Sequence, residues 1–403
     1  MAYVKTSFLF LLEKLMDKPY YPHKPIGSVS ILANTLGTSE SKLLSIADNA
    51  SDSYTEFSIS NGDRAVTEPK YELKKLQKRI NRRIFEQVIY PSYLQGGIKS
   101  DMKRDYVQNA KIHSKANTLI SLDIKRFFNN IREQFVFDIY KYFFKFPDDV
   151  SKLLTKVTTF KGALPQGACT STYLANLIFY NSEYRLVSKF RGQGITYSRL
   201  LDDITLSSAE NLSEESIQSS IYDVIGLFKK YKLKPNNKKL NVEFRNTPKN
   251  QFAVTGLWVE HSKPKLKKSE RRYIRQLVFE TEKLYKNDKT SNHYHELWNK
   301  TSGKVAKLNR LEHSQADNLR ARLGAILPEY NDDEIFKIKI NNRRLISIPK
   351  IKHQRIGVIK QYNKQIHRLG ILSRTNKSLA KYLRKNLKAH FSGVPTHEEF
   401  WHG

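Results

Sequence analysis

Residues 197–207 read Tyr197-Ser-Arg-Leu-Leu-Asp-Asp-Ile-Thr-Leu-Ser207, and they carry the strongest indication of the fold in this chain. Its two adjacent carboxylates, Asp202 and Asp203, interrupt an otherwise mostly apolar run. The flanking residues, 195–201 and 204–207, have the composition of two strands that meet at the aspartates. Adjacent carboxylates repel each other unless a cation lies between them. The pattern therefore predicts a cation site where two strands meet.

A second segment supplies a third carboxylate from a distant part of the chain. Residues Ser121-Leu-Asp-Ile-Lys-Arg-Phe-Phe128 place Asp123 at the end of a strand predicted over Thr118–Asp123. Three such carboxylates are the set that a two-metal phosphoryl-transfer centre requires, with two Mg²⁺ as the expected ions and Mn²⁺ as an alternative. Each segment alone has an ordinary explanation, because Asp pairs form turns and Asp often caps helices.

A third segment shifts this balance towards catalysis. Residues Gly162-Ala-Leu-Pro-Gln-Gly-Ala-Cys-Thr-Ser171 form a loop ahead of a helix predicted over Ser171–Leu186. Gln166 and Gly167 let the backbone of this loop approach a nucleotide, and the helix gives the loop a rigid support. An ordinary helix-entry loop is the alternative explanation.

In this order and spacing, the three segments resemble the reverse-transcriptase superfamily. Asp123 with Phe127-Phe128 resembles motif A, Leu164–Gly167 with Thr170-Ser171 resembles motif B, and Leu200–Asp203 resembles motif C. Two further matches are Asn236-Asn-Lys-Lys239, where motif D carries its lysine, and Arg64 with Pro69, ahead of the palm. Motif C departs from the family, which typically has Tyr-Ala where this chain has Leu200-Leu201.

Two more segments, Asn109-Ala-Lys-Ile-His113 and Val254-Thr-Gly256, resemble the retron branch of the superfamily. The resemblance implies a structured non-coding RNA as template and partner, dNTP substrates, and a branched product in which single-stranded DNA is linked to RNA. It also implies a role in anti-phage defence with an effector protein as a further partner. A defence or group II intron-like enzyme without a retron RNA, and a catalytically silent RNA-binding relative, remain as alternatives.

The resemblance also assigns roles to individual residues. The expected catalytic residues are Asp123, Asp202 and Asp203, and the same three with the carbonyl of Ile124 are the expected metal ligands. Nucleotide contacts are expected from Arg64, Phe128, Gln166, Gly167 and Lys239. The ring of Phe128 would exclude a 2′-hydroxyl from the incoming nucleotide. Contacts with nucleic acid are expected from Asn109, His113, Arg199, Leu200, Val254, Thr255, Gly256, Lys267, Arg271 and Arg275.

The fold implied is α+β: a right-hand polymerase with fingers, a mixed-sheet palm and a helical thumb, followed by a basic C-terminal extension. The expected domains are 1–115 for N-terminal helices and fingers, 116–261 for the palm with a fingers insertion near 130–165, 262–345 for the thumb, and 346–403 for the extension. The helical spacing of apolar residues from Leu73 to Val88 predicts a long helix that opens at Glu68-Pro69 and ends near Tyr90-Pro91. Further helices are predicted over 217–232, 305–326 and 377–390, while 252–259 has the composition of strands.

Composition supports a polyanionic partner. The 403 residues carry a formal net charge of +31 and a pI near 9.9, well beyond what solubility requires. The single cysteine, Cys169, excludes an internal disulfide framework. The apolar run Phe8–Leu12 fits an amphipathic first helix better than a signal peptide, and no stretch is long enough to cross a bilayer. A soluble, cytoplasmic protein with no membrane partner is expected, and nothing predicts its oligomeric state.

Overall fold

The computed structural model describes residues 17–59, 64–245, 247 and 252–402. The predicted first helix around Phe8–Leu12 lies outside these ranges. The chain divides into two compact units, the first ending at Pro264 and the second running from Lys265 to Trp401. In the described ranges, none of the helices combines the length and the apolar character that a membrane span needs.

The first unit begins with two helices, a strand hairpin and a third helix. Their bounds are α1 (Val29–Thr35), α2 (Glu40–Asp48), β1 (Tyr54–Ile59), β2 (Arg64–Pro69) and α3 (Tyr71–Arg83). The helix predicted from Glu68-Pro69 to near Tyr90-Pro91 is therefore too long at both ends. The chain leaves helical geometry at Ile84 (φ −123°, ψ −63°) and forms a 3₁₀ turn over Phe85–Gln87. This bend buries both Ile84 and Phe85, which one straight helix would direct to different faces.

A five-stranded mixed sheet forms the centre of the first unit, in the spatial order β3-β5-β6-β4-β7. Its strands are β3 (Leu94–Gln95), β4 (Thr118–Asp123), β5 (Ile195–Leu200), β6 (Asp203–Ser208) and β7 (Asn241–Phe244). Only the β3–β5 pair is parallel among these described strands. β4 and β6 lie inside the sheet and are almost entirely buried. The strands predicted at Asp123 and at the aspartate pair are thus confirmed.

Helices surround this sheet. Their bounds are α4 (Tyr106–Ile112), α5 (Phe127–Asn130), α6 (Glu133–Asp138), α7 (Asp148–Thr158), α8 (Ser171–Leu177), α9 (Glu183–Gly192) and α10 (Glu214–Lys230). The single helix predicted over Ser171–Leu186 is wrong, because the helix is interrupted between α8 and α9. The break allows Glu183, at the start of α9, to reach the buried side chain of Arg199 in β5.

The first unit ends with a short hairpin, β8 (Ala253–Val254) and β9 (Leu257–Trp258). Its two turn residues, Thr255 and Gly256, both have positive φ values of 48° and 79°, as a type I′ turn requires. The region predicted as strands over 252–259 is therefore two very short strands with a tight turn between them.

The second unit is helical. Its helices are α11 (Lys268–Asp288), α12 (Asn292–Arg310), α13 (Ala316–Ala325), α14 (Asp332–Ile346), α15 (Ile356–Leu372), α16 (Lys377–His390) and α17 (His397–His402). The periodicity over 305–326 covers parts of both α12 and α13, whereas the helix predicted over 377–390 is confirmed. α14, α15 and α16 share one apolar core that includes Ile338, Leu369 and Leu387.

The described chain is thus mixed α/β and rich in helix, as the predicted α+β class requires. The assignment of its parts to fingers, palm, thumb and extension stays a prediction. Residues on both sides of the predicted boundary at 345/346 pack into the same helical core, because α14 contacts α15 and α16.

Candidate active site

The aspartate pair lies at a tight turn between β5 and β6. Leu200 pairs with Asp203, which leaves Leu201 and Asp202 as the two turn residues. Of these two, Leu201 alone has a positive φ, 59°, as in a type II′ turn. Glycine usually occupies that position, and a left-handed conformation costs other residues about 1–2 kcal/mol. The turn therefore stores strain directly beside Asp202.

Asp123 reaches this turn from the neighbouring strand. β4 pairs antiparallel with β6, and Asp123 lies directly opposite Asp203. Directly paired residues project to the same face of a sheet, so these two carboxyl groups are neighbours. The amide of Ile124 donates to the carbonyl of Asp202 at 3.0 Å and ties the end of β4 to the turn. The structure thus brings together all three carboxylates that the sequence predicted.

A segment after α10 holds Asp123 in place. The Asn236 Nδ2 donates to Asp123 Oδ1 at 2.8 Å, and Lys239 Nζ donates to Asp123 Oδ2 at 2.5 Å. The backbone amide of Asn236 also donates to the carbonyl of Asp123 at 2.8 Å. Lys239 was expected at the nucleotide, and its ammonium is in contact with a site carboxylate. Asn236, quoted within the same motif, was missed as a site residue.

The electrostatics of this edge favour a cation. Burial and the neighbouring carboxylates of Asp202 and Asp123 raise the pKa of Asp203 to about 6. The hydrogen bond to Asp123 raises the pKa of Lys239, so its ammonium stays charged at neutral pH. Lys239 nevertheless balances only one negative charge at this edge.

The donor set fits Mg²⁺, which prefers hard oxygen ligands and leaves coordination positions for phosphate. Asp123, Asp202, Asp203 and the carbonyl of Ile124 offer such oxygens. In the part of the chain that the structure describes, however, no three His, Cys, Asp or Glu side chains are grouped so that they could hold a metal ion. The carboxyl of Asp123, which is 4% exposed, is instead engaged by Asn236 and Lys239.

The predicted nucleotide loop is fixed by two elements of the first unit. The amide of Thr67, in β2, donates to the carbonyl of Gln166 at 2.8 Å. Gly167 has a φ of 116°, and a Cβ there would lie 2.8 Å from the carbonyl oxygen of Thr67. The Asn81 Nδ2, in α3, donates to the carbonyl of Cys169 at 2.8 Å. Arg64 begins β2, but its side chain lies outside the described part of the structure.

Phe128 and Leu200 flank the carboxylates in sequence. Phe128 is half-buried, and its ring lies 5.8 Å from that of Phe127, which is a buried core residue. Leu200 packs against Gly96 so closely that a Cβ on this glycine would lie 2.5 Å from Leu200 Cδ1. Gly96, which has a φ of 76°, is a supporting residue that sequence reasoning missed. Only its place in the Gly96-Gly97 pair could have indicated it.

Four residues predicted to contact nucleic acid are buried, and those predictions are corrected. Arg199 is fully buried, and its guanidinium forms a bidentate ion pair with Glu183. Nε donates to Oε1 at 2.5 Å and Nη2 to Oε2 at 2.9 Å. Val254 is 1% exposed in the short hairpin. The side chains of Arg199 and Val254 are therefore internal and cannot contact nucleic acid.

Asn109 and His113 are the other two, and they form a buried hydrogen-bonded cluster with two serines of the sheet. His113 Nδ1 lies 2.7 Å from Ser207 Oγ, and His113 Nε2 lies 2.6 Å from Ser198 Oγ. Ser198 Oγ in turn donates to Asn109 Oδ1 at 2.6 Å. Burial lowers the pKa of His113 to about 3, so its ring is neutral. This cluster fastens α4 to β5 and β6.

The remaining predicted contacts keep some exposure. Thr255 is half-buried and donates to the carbonyl of Tyr106, and Gly256 is exposed. In the second unit, Lys267, Arg271 and Arg275 lie four residues apart at the start of α11 and share one helix face. Their contact with nucleic acid stays a prediction.

Comparison with known proteins identifies the family. A family profile described as "Reverse transcriptase (RNA-dependent DNA polymerase)" matches residues 59–274. The retron Se72 reverse transcriptase of Salmonella heidelberg (strain 579083-10) is 40% identical over 380 residues, which cover 93% of this chain and 99% of that protein. The retron Ec48 reverse transcriptase of Escherichia coli is 32% identical over 327 residues, covering 77% and 79%.

Among solved structures, telomerase from Candida albicans in complex with a fragment of telomeric RNA matches 84% of this chain and 62% of that chain. The sequence identity is 11% and the TM-score 0.37, too low to support a conclusion. The match to the family profile and the identity with the two retron enzymes are enough to assign the family. The chain belongs to the reverse transcriptases of retron type and is an RNA-directed DNA polymerase.

Proposed function

We propose that this enzyme copies a dedicated structured RNA into branched, RNA-linked single-stranded DNA by two-metal nucleotidyl transfer, as part of anti-phage defence. The observation that carries the chemical part is the position of Asp123 opposite Asp203, beside the strained turn at Asp202. The names of the two retron relatives support the choice of template and product.

In this proposal the carboxylates of Asp123, Asp202 and Asp203 and the carbonyl of Ile124 hold two Mg²⁺ ions. Ions held there would supply activation of the attacking hydroxyl and charge stabilisation for the leaving pyrophosphate. The Asn236 amide orients the carboxylate of Asp123 through its 2.8 Å hydrogen bond. Lys239 Nζ carries a proton near the same carboxylate, and it neutralises or protonates the leaving pyrophosphate.

The remaining groups position the substrate. The ring of Phe128 lies against the sugar of the incoming dNTP and excludes a 2′-hydroxyl by steric contact. The backbone at Gln166 and Gly167, fixed by its hydrogen bond to Thr67, borders the base pair being formed. Arg64 provides a guanidinium for the triphosphate, to which it can donate two parallel hydrogen bonds.

The test is to sequence the RNA and DNA that copurify with the protein when it is expressed with its flanking genome sequence. We expect one structured RNA covalently joined to single-stranded DNA through a 2′ linkage. The Asp202→Asn/Asp203→Asn double variant is the control, and it should retain the RNA but carry no DNA. A mixture of unrelated RNAs with no covalent DNA, together with activity on any primed template, would instead identify an enzyme without a dedicated RNA.

The defence role has a separate test. Cells carrying the complete locus should reduce the plating efficiency of a sensitive phage, and the double variant should abolish this protection. Protection that survives the loss of both carboxylates would show that DNA synthesis is not required for it.

A further inference from the structure

A small polar cavity opens between α14 and α15 in the second unit. Its volume is about 230 Å³. Apart from Leu345, the residues that line it are all polar or cationic: Asn341, Arg344, Gln361, Lys364, Gln365 and Arg368. The apolar core shared by α14, α15 and α16 lies beneath it. A cavity lined in this way on a well-packed support is a candidate binding site for an anion.

Buried amide groups fix the cavity floor. Gln365 is 3% exposed, and its Nε2 donates to the carbonyl of Ile338 at 2.9 Å across the α14–α15 interface. Asn342, which is 1% exposed, lies beside it with its Oδ1 3.5 Å from Gln365 Nε2. The Nδ2 of Asn342 lies 3.5 Å from the carbonyl of Leu383 in α16. Because three helices hold these amides, the site does not depend on a loop conformation.

Three cations stand around the cavity. Arg368 is partly buried; its Nη2 donates to Glu334 Oε2 at 2.7 Å and its guanidinium lies 5.8 Å from the centre of the Tyr330 ring. Arg344 and Lys364 are exposed. Glu334 is the one carboxylate that the described part of the chain pairs with these three cations. The cavity therefore retains an excess of positive charge.

The sequence around the cavity lacks the carboxylates that usually balance such cations. Residues 335–397 contain sixteen Lys and Arg residues and no Asp or Glu. Cations on this scale without interspersed carboxylates are typical of a surface that binds a polyanion. The volume is below the roughly 300–1,000 Å³ of pockets that enclose drug-sized ligands. It suits a phosphate with its adjoining sugar better than a whole nucleotide.

We propose that this cavity binds a backbone phosphate of nucleic acid and fixes the strand on the second unit. The forked guanidinium of Arg368 would donate to two phosphate oxygens, Lys364 and Arg344 would add point charges, and the amides of Asn341 and Gln361 would complete the hydrogen bonds. Backbone phosphates carry no base information, so the site positions a strand without selecting its sequence. The identity of this strand as the enzyme's RNA or DNA rests on the proposed function.

Binding of labelled single-stranded RNA and DNA of the same sequence to the full chain, measured by fluorescence anisotropy at several salt concentrations, tests the site. The cavity variant is Arg344→Gln/Lys364→Gln/Arg368→Gln. The matched control is Lys339→Gln/Lys360→Gln/Lys388→Gln, which removes the same charge from exposed positions of α14, α15 and α16. We expect the cavity variant to bind roughly tenfold more weakly and to have a salt dependence about one unit shallower than the control.

Equal losses in the two triple variants would overturn the proposal, since they would show a diffuse charge effect. The proposal would also be overturned if the cavity variant bound RNA and DNA as tightly as the wild type, while polyglutamate bound selectively to the wild-type protein. That outcome would indicate an acidic protein partner. A larger loss for RNA than for DNA, or the reverse, identifies the strand bound. Copurified RNA and DNA are not needed here, so failure of the proposed function leaves this result interpretable.

Arg368→Lys provides a finer test and avoids the loss of charge. If Arg368 makes a bidentate contact with phosphate, this variant should bind nucleic acid measurably more weakly. A purely electrostatic site predicts no change in affinity. Circular dichroism of all variants verifies that the helices remain folded.

Discussion

The candidate catalytic edge, formed by Asp123, Asp202 and Asp203, and the buried polar cluster around His113 share the same two strands, β5 and β6, yet they differ in exposure. At the turn, the partly exposed Asp202 and Asp203 meet the buried Asp123. Four residues from the aspartate pair on either side, Ser198 and Ser207 hold the neutral ring of His113 in the interior. Both regions match family motifs, and both were expected to contact substrate or nucleic acid. Only the first can do so, because α4 covers the second.

Arg199, which follows Ser198 in β5, connects the turn to Glu183 at the start of α9. Its Nη1 donates to the carbonyl of Leu201 at 3.2 Å, while its other nitrogens pair with Glu183. The buried ion pair thus supports the turn that presents Asp202. The comparison shows that a residue within a catalytic motif can act by holding the backbone, without touching the substrate.

The largest expected effect belongs to the catalytic edge. Asp123→Asn should lower dNTP incorporation on a primed RNA template by roughly a thousandfold or more, because loss of metal ligation forfeits several kcal/mol at about 1.4 kcal/mol per tenfold. The thermal midpoint should not fall, since one of several crowded carboxylates becomes neutral. Single-turnover primer extension measures the rate, and Asp52→Asn, at an exposed position, is the control. Activity within tenfold of wild type would contradict the site assignment.

The buried ion pair should show the opposite behaviour, with stability affected first. Arg199→Met leaves Glu183 buried without its counter-charge and should cost about 3–5 kcal/mol in the free energy of unfolding. Adding Glu183→Gln should restore most of that stability, because the unpaired charge is removed. Urea unfolding followed by circular dichroism measures both variants.

Polymerase activity then separates the two roles of Arg199. The double variant should remain below wild type in activity, because the carbonyl of Leu201 has lost its donor. Full recovery of activity along with stability would show that the turn does not need this hydrogen bond.

His113 predicts a pH dependence of stability. Burial lowers its pKa to about 3 in the folded state against 6.5 when exposed, so the unfolded chain binds the extra proton first. This contribution to stability is complete above pH 6.5 and is lost progressively as pH falls from 6.5 towards 3. At pH 5 the loss should be about 2 kcal/mol.

His113→Gln is the matched variant, since it keeps a polar side chain in the cluster without a titrating ring. Its free energy of unfolding should vary less between pH 6.5 and 5 than that of the wild type. An unchanged difference between the two pH values would mean that other groups cause the dependence.

The smallest effect concerns the loop beside the catalytic edge. Gly167→Ala should destabilise the protein by about 1–3 kcal/mol and raise the KM for dNTP, because the new Cβ meets the Thr67 carbonyl. Gly162→Ala is a sharp control in the same loop, since its φ of 72° is also positive but no atom lies within 4 Å of the added Cβ. Equal KM values in the two variants would show that backbone strain, which both share, causes the effect, and that the contact with β2 does not.

Local pattern alone determined several elements of this protein. The strand Thr118–Asp123, the helix Lys377–His390 and the three site carboxylates were all predicted, because side-chain periodicity and short motifs are encoded in neighbouring residues. The charge of +31 likewise indicated a polyanionic partner. Helix ends were less accurate, as at Arg83 and Leu177, where buried tertiary contacts override helical spacing.

Tertiary structure alone decided which of these residues meet. The pairing of Asp123 with Asp203, the burial of Arg199 against Glu183 and the contact of Leu200 with Gly96 each join positions from 16 to 104 residues apart. Such contacts depend on strand register and on which face a helix covers, and neither is fixed by neighbouring residues. The sequence therefore indicated which residues are candidates for the chemistry, while long-range packing decided which polar side chains lie at the partly exposed turn and which are buried against the sheet.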